Sequence, residues 1–277
     1  MLNYDQIDRI IRLSLEEDMP FGDITTENII LEDSRSTARF LAKEAGIIAG
    51  LPVAERTFTL LDSRTCFTVL KPEGSWVEKG DVIATIEGPT IAILEGERTA
   101  LNLLQRLSGV ATRTHGLASL IADTSACVVD TRKTTPGLRY LEKYAVRVGG
   151  GQNHRFSLSD GVLIKDNHIA AAGGVKEAVS AVRGRIPHTI RIEVEVENLD
   201  MVQEAIEAKA DIIMLDNMDD RQMRQAVELI DGRALVEASG DIDEERICKV
   251  AETGVDIISI GRITHSVKAM DISLRFL

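Results

Sequence analysis

The chain has 277 residues, 44% of them hydrophobic, and its 32 Lys and Arg stand against 44 Asp and Glu for a formal net charge of -12. That length buries a full core and allows one large domain plus a smaller one. The acidic balance argues against a general nucleic-acid binder, whose affinity for phosphate backbones comes from broad basic surfaces.

No apolar run approaches the length needed to cross a bilayer. Cys66, Cys127 and Cys248 are odd in number and far apart, so they read as reduced core residues. His115, His154, His168, His188 and His265 lack the spacing of a structural zinc site. The opening MLNYDQIDRIIRLSLEED sets apolar residues at helical spacing among acids, which predicts a helix and neither a signal nor a transit peptide. The expected location is the cytoplasm, with no membrane and no nucleic acid as partner.

After this helix and EEDMPFGDITTENI come extended runs in ARFLAKEAGIIAG and FTVLKP. GSWVEKGDVIATIEGP then places Gly, Asp and Pro as turns between short strands. Residues 91–122 return to helical spacing and are expected to link two domains. From about residue 124 short β-branched runs alternate with amphipathic segments. The runs are ACVVDT (126–131), AVRVGG (145–150), GVLIKD (161–166), TIRIEVEV (189–196), DIIMLDN (211–217), ALVEASG (234–240) and DIISIG (256–261). Helical patterns fall near 174–184, 199–208, 219–231 and 243–253. Such alternation predicts parallel strands with right-handed crossovers, in a closed barrel or an open doubly wound sheet, and seven runs favour an incomplete α/β barrel.

Polar residues gather where these runs end: Arg132 and Lys133, Lys165 and Asp166, Glu193 and Glu195, Asp216, Ser239, Gly261. In α/β barrels the strand C-termini open onto the active-site face. TIRIEVEV alternates strictly, so either its second face meets solvent or its carboxylates point into the barrel mouth, and the mouth is favoured because inward acids can engage sugar hydroxyls or a hydrated cation. The stretch 130–168 is cationic within an acidic chain. Arg132, Lys133, Arg139, Lys143, Arg147, Arg155 and Lys165 outnumber Asp130, Glu142, Asp160 and Asp166, with His154 and His168 besides. These cations do not read as one helical face, and they sit beside Thr131, Thr134 and a Gly149–Gly151 run that can approach a ligand closely. The pattern predicts a confined site for a small anion.

The strings EDMPFGDITT, ERTALNLLQRLSGVAT, DTRKTTPGLRYLEKYAV, GGGQNHRFSLSDGVLIKDNH, EVEVENL, IIMLDNM, VEASGDI and SIGRITHS, in this order over roughly residues 17–270, resemble the quinolinate phosphoribosyltransferase family. The resemblance implies an N-terminal α/β sandwich domain (1–110, with the tail 265–277 packing back) and a C-terminal seven-stranded incomplete α/β barrel (111–264). It implies that quinolinate and phosphoribosyl pyrophosphate react with Mg2+ to give nicotinate mononucleotide, pyrophosphate and carbon dioxide, on the de novo route to NAD. It also implies a homodimer with shared sites, which could assemble further.

Carried onto matching positions, Arg132, His154, Arg155 and Lys165 correspond to the quinolinate pocket, and Arg98 to the residue given across the dimer. Lys133, with Thr131, faces the phosphoribosyl donor. Glu195 and Asp216 correspond to acids near the ribose hydroxyls and the metal, which they could hold through water. Ser239, Gly240, Asp241, Ile260, Gly261 and Arg262 correspond to the surroundings of the ribose phosphate. Lys133, Lys165, Glu195 and Asp216 are the implied catalytic set. The family often has two glycines after Ser239, and Asp241 takes the second place here. A molybdenum-utilisation relative, a nicotinate phosphoribosyltransferase and a non-catalytic anion-binding barrel stand as alternatives, with intact NHR and LIKDNH favouring the first reading.

Overall fold

Helix α1 (Tyr4–Asp18) starts where the Asn3 side chain accepts the Asp5 and Gln6 amides. Ile7, Ile11 and Leu15 recur along it and are buried; each such side chain contributes roughly 1.5–3 kcal/mol relative to exposure. This is a computed structural model, and it describes residues 2–277.

The chain continues through α2 (Ile24–Ile29), β1 (Arg35–Ala42), β2 (Gly46–Ile47), α3 (Leu51–Leu61), β3 (Cys66–Val69), β4 (Trp76–Val77), β5 (Val82–Pro89) and the long α4 (Thr90–Leu120). There follow β6 (Cys127–Val129), α5 (Arg139–Val148), β7 (Val162–Ile164), α6 (Asp166–Ala172), α7 (Val175–Arg183), β8 (Ile192–Val196), α8 (Leu199–Glu207) and β9 (Ile212–Asp216). The remainder is α9 (Asp220–Ile230), β10 (Leu235–Ser239), α10 (Ile247–Ala251), β11 (Ile257–Ser259), α11 (Arg262–His265) and β12 (Ile272–Phe276).

Two units divide these elements. The first takes Met1–His115, Thr134–Gly150 and Thr264–Leu277. Its antiparallel sheet runs β12-β1-β5-β3, so the C-terminal tail adds an edge strand beside β1, with Ala38 opposite Phe276 and Ala42 opposite Ile272. Phe40, Ile83, Ile86, Phe58, Ile93 and Leu104 from the sheet, α3 and α4 form its core, where the Phe40 and Phe58 rings meet edge-on at 6.1 Å.

The second unit takes Gly116–Lys133 and Gly151–Ile263. Among its described residues, parallel strands run in the order β6-β11-β10-β9-β8-β7 with helices between them, the arrangement of an α/β barrel. One expected strand is corrected: AVRVGG is the end of α5, in the first unit, and the remaining parallel pairing is a single bridge from Val129 to Gln152. The reason is local. RYLEKYAVRV reads through as one amphipathic helix whose Leu141, Glu142, Ala145 and Val146 are buried, so the two valines extend a helix already nucleated. The cationic stretch is therefore divided. Arg139, Lys143 and Arg147 fall four residues apart on α5, on one helical face after all, with Lys143 buried.

Candidate active site

Directly after β6, Asp130 has 0% exposure and accepts hydrogen bonds from the His154 amide (3.0 Å) and the Asn153 side chain. Gln152 pairs with Val128 and Asp130 through backbone bonds, so residues 152–154 lie along the β6 strand end. His154 is then fixed at both ring nitrogens. Nδ1 accepts the Arg155 amide hydrogen at 2.9 Å, which places the ring proton on Nε2, and Nε2 meets Glu193 Oε2 at 2.9 Å. The Arg155 guanidinium donates to the Gly161 carbonyl (2.9 Å). Burial and the neighbouring Arg132 charge lower its pKa, and Glu193 opposes that shift.

Next along the sheet, Lys165 at the end of β7 meets Glu195 Oε2 on β8 at 2.6 Å, with the Lys165 side chain 46% exposed. Its backbone amide is held by His168 Nδ1 at 3.0 Å, which closes the first turn of α6. Arg132 and Lys133 are exposed on the turn after β6, where the Lys133 amide donates to the Thr131 hydroxyl (3.0 Å). TIRIEVEV enters the sheet at Ile192, two residues later than its alternation begins. Glu195 stands half-buried near the strand end, whereas Glu193 is interior rather than at a mouth.

Asp216 ends β9 and accepts a hydrogen bond from the Asn217 side chain (2.8 Å), while Ser239 pairs with it in register on β10. Gly240 has φ +100°, and a Cβ there would lie 2.1 Å from Asn217 Oδ1, so only glycine lets these two turns approach. Arg246 clamps them by donating to the Met218 (2.8 Å) and Gly240 (3.2 Å) carbonyls. Asp241 has φ 43°, and its side chain, 87% exposed, points away toward Arg262 (3.4 Å). Ile260 donates its amide to the Val129 carbonyl (3.0 Å), which sets Gly261 at the end of β11. Every expected site residue except Arg98 thus falls within the second unit. Arg98 is exposed on α4 in the first.

The sequence reading overlooks a buried layer. Glu193 and Glu237 have 4% and 1% exposure, and with His154 they bring a nitrogen and two carboxylate oxygens within 4.8 Å of one another. Burial and the Glu193 charge push the Glu237 carboxyl up to about 8, with His154 and Ser259 opposing. The available signal is an acid in the middle of ALVEASG, two residues before Ser239 and so on its face of the strand.

Comparison with known proteins agrees over nearly the whole chain. Residues 110–275 match the family described as quinolinate phosphoribosyl transferase, C-terminal domain, and residues 23–108 match its N-terminal domain. A probable nicotinate-nucleotide pyrophosphorylase [carboxylating] of Bacillus subtilis is 45% identical over 273 residues, 99% of this chain and 94% of that protein. One from Synechocystis is 47% identical, covering 97% and 92%. The solved nicotinate-nucleotide pyrophosphorylase from Francisella tularensis superposes with a TM-score of 0.95 at 42% identity, covering 100% of this chain and 98% of that one.

Proposed function

The chain belongs to the quinolinate phosphoribosyltransferase family, and we propose that it transfers the phosphoribosyl group of phosphoribosyl pyrophosphate to quinolinate with decarboxylation. The products are nicotinate mononucleotide, pyrophosphate and carbon dioxide, in NAD biosynthesis. The observation that carries this reading is the grouping of Arg132, Arg155, Lys165, Glu195 and Asp216 on the strand ends of one parallel sheet, in a chain of net charge -12. Both substrates are small polyanions, and a local cationic pocket in an acidic protein selects such ligands.

Arg132 and Arg155 present planar forks to the quinolinate carboxylates, and Lys165 adds a compact charge. Lys133 faces the donor. Gly240, Asp241 and Gly261 offer backbone amides to the ribose phosphate, with the Ser239 hydroxyl, as late-strand loops do in other α/β barrels. The pyridine nitrogen attacks the ribose carbon as its bond to pyrophosphate breaks. Positive charge grows on the sugar, where Glu195 and Asp216 tolerate it, and negative charge grows on the leaving group, where cations stabilise it. The ring nitrogen, now cationic, takes up the electron pair left when the adjacent carboxylate departs as carbon dioxide, and the ring carbon gains a proton. No nucleophilic Ser or Cys is required; the residues position and polarise.

Glu195 and Asp216 would hold Mg2+. Among the described residues Lys165 occupies one Glu195 oxygen and Asn217 one Asp216 oxygen, which leaves each carboxylate an oxygen for a hard cation. When bound with the donor, the ion would neutralise pyrophosphate charge. We place the enzyme in the cytoplasm, since its three cysteines are all unpaired. It works as a homodimer in which Arg98 completes the partner's pocket.

The test offers quinolinate and nicotinate as alternative acceptors with the same donor. Nucleotide should form from quinolinate and not from nicotinate. Turnover of nicotinate alone would replace this reading with that of a nicotinate phosphoribosyltransferase.

A further inference from the structure

Beneath the strand ends lie charges that the transfer reaction does not touch. Glu193 and Glu237 stand two residues before Glu195 and Ser239, on the same faces of β8 and β10. Each keeps one oxygen, Oε1, that is buried without a hydrogen-bond partner among the described residues. Two ionised carboxylates this close in a dry interior repel strongly. Either one carries a proton or a cation lies between them.

His154 decides between these. A metal ion at Nε2 needs that nitrogen bare, which puts the ring proton on Nδ1, where it would oppose the Arg155 amide hydrogen already bonded there at 2.9 Å. With the proton on Nε2 the ring instead donates to Glu193 Oε2, at 2.9 Å. The cluster is complete with a proton and has no ring nitrogen to give a metal.

We propose that Glu237 stands as the neutral acid bonded to Glu193 and that both are positioning residues, Glu193 holding the His154 ring by Nε2–H so that Nδ1 fixes the Arg155 backbone and sets its guanidinium for a quinolinate carboxylate. The inference rests on the assignment of Arg155 to quinolinate made above. It makes His154 a relay within the protein, both of whose nitrogens are engaged, rather than a donor to substrate. Of the groups facing Glu237, the Glu193 charge favours the neutral acid, while His154 and Ser259 oppose it and are outweighed by burial. Glu193 approaches from β8, His154 from the segment after the Gln152 bridge, the Ser259 hydroxyl from β11 and the Cys127 thiol from β6. Burial raises that thiol's pKa, which keeps it uncharged beside Glu237.

The test measures the Michaelis constants of both substrates in Glu237→Ala and Glu237→Gln. The alanine variant should raise the constant for quinolinate about tenfold, the scale of one lost buried hydrogen bond, and leave that for the donor unchanged. Glutamine, a neutral isostere, should restore it. In the parent enzyme the quinolinate constant should climb at alkaline pH as Glu237, whose pKa burial and Glu193 raise, ionises, and in Glu237→Gln it should stay flat. A glutamine variant as impaired as the alanine one shows that the negative charge is needed and overturns the proposal. So does one divalent metal per chain in dialysed protein that Glu237→Gln loses.

Nitrogen NMR of histidine-labelled enzyme gives a readout independent of turnover. His154, assigned by its absence in His154→Gln, should carry its proton on Nε2; a proton on Nδ1 overturns the relay. An enzyme inert toward quinolinate overturns the function proposed above, and the expected tautomer would support the network even then.

Discussion

Lys165 meets Glu195 at 2.6 Å while almost half of its side chain stays open to solvent, so its ammonium is aimed but not buried. Such a group can pass from a carboxylate of the protein to one of the substrate. Lys165→Ala should fold normally, as judged by circular dichroism, and lose at least about a hundredfold in turnover, the scale for removing one charge stabiliser from a preorganised site. Near-normal kinetics would remove Lys165 from the site. Asp241 poses the opposite problem, since a carboxylate beside the proposed phosphate site would repel its ligand. Its left-handed φ of 43° and its outward turn to Arg262 leave the backbone amide to serve instead. Asp241→Gly suits that backbone better and gives up an exposed ion pair worth about 0–1 kcal/mol. The apparent constant for phosphoribosyl pyrophosphate should hold or fall. A large rise with the fold intact would show that the carboxylate itself helps.

At the level of elements, α5 shows where sequence pattern misleads. Val146 and Val148 before a glycine run resemble a short strand, yet they continue an amphipathic helix, which a long-range ion pair then anchors. Glu142, with 0% exposure, accepts Arg106 Nε (3.1 Å) and Nη2 (2.8 Å) from α4 and the Thr135 amide (3.0 Å). No local periodicity announces that pair. Glu142→Gln keeps the volume and removes the charge, so it should destabilise the first unit by about 2–4 kcal/mol, somewhat below the fully buried case because Arg106 keeps its bonds to the Thr264 and Val267 carbonyls. Urea unfolding followed by circular dichroism checks this, and a shift below about 0.5 kcal/mol, the range of an ordinary surface substitution, contradicts it. The strands β8, β9 and β10 were legible because their apolar runs end in charged or small residues at the sheet's C-terminal edge. Meeting of His154, Glu193 and Glu237 was not legible, since it joins three segments remote in sequence.

For the whole molecule, the charge pattern and the family strings carry most of the functional reading, while the pairing of chains needs its own experiment. Arg98 lies on α4 in the first unit and the cations it is proposed to join lie in the second. If it reaches the partner's pocket, Arg98→Ala and Lys165→Ala are each nearly inactive as homodimers, yet a mixed dimer holds one site with both defects and one with neither. Unfolding and refolding equal amounts together should restore about a quarter of normal activity, as two-fold symmetry dictates. A mixture as inactive as its parents, with mixed dimers confirmed, would place Arg98 within its own chain's function or outside it.

The most direct measurement of the central claim uses quinolinate labelled in the carboxylate next to the ring nitrogen. Labelled carbon dioxide should appear only when phosphoribosyl pyrophosphate is present, in equal amount to the pyrophosphate released and the nicotinate mononucleotide formed. Release without the donor, nucleotide that retains the label, or no turnover of quinolinate at all would contradict the account.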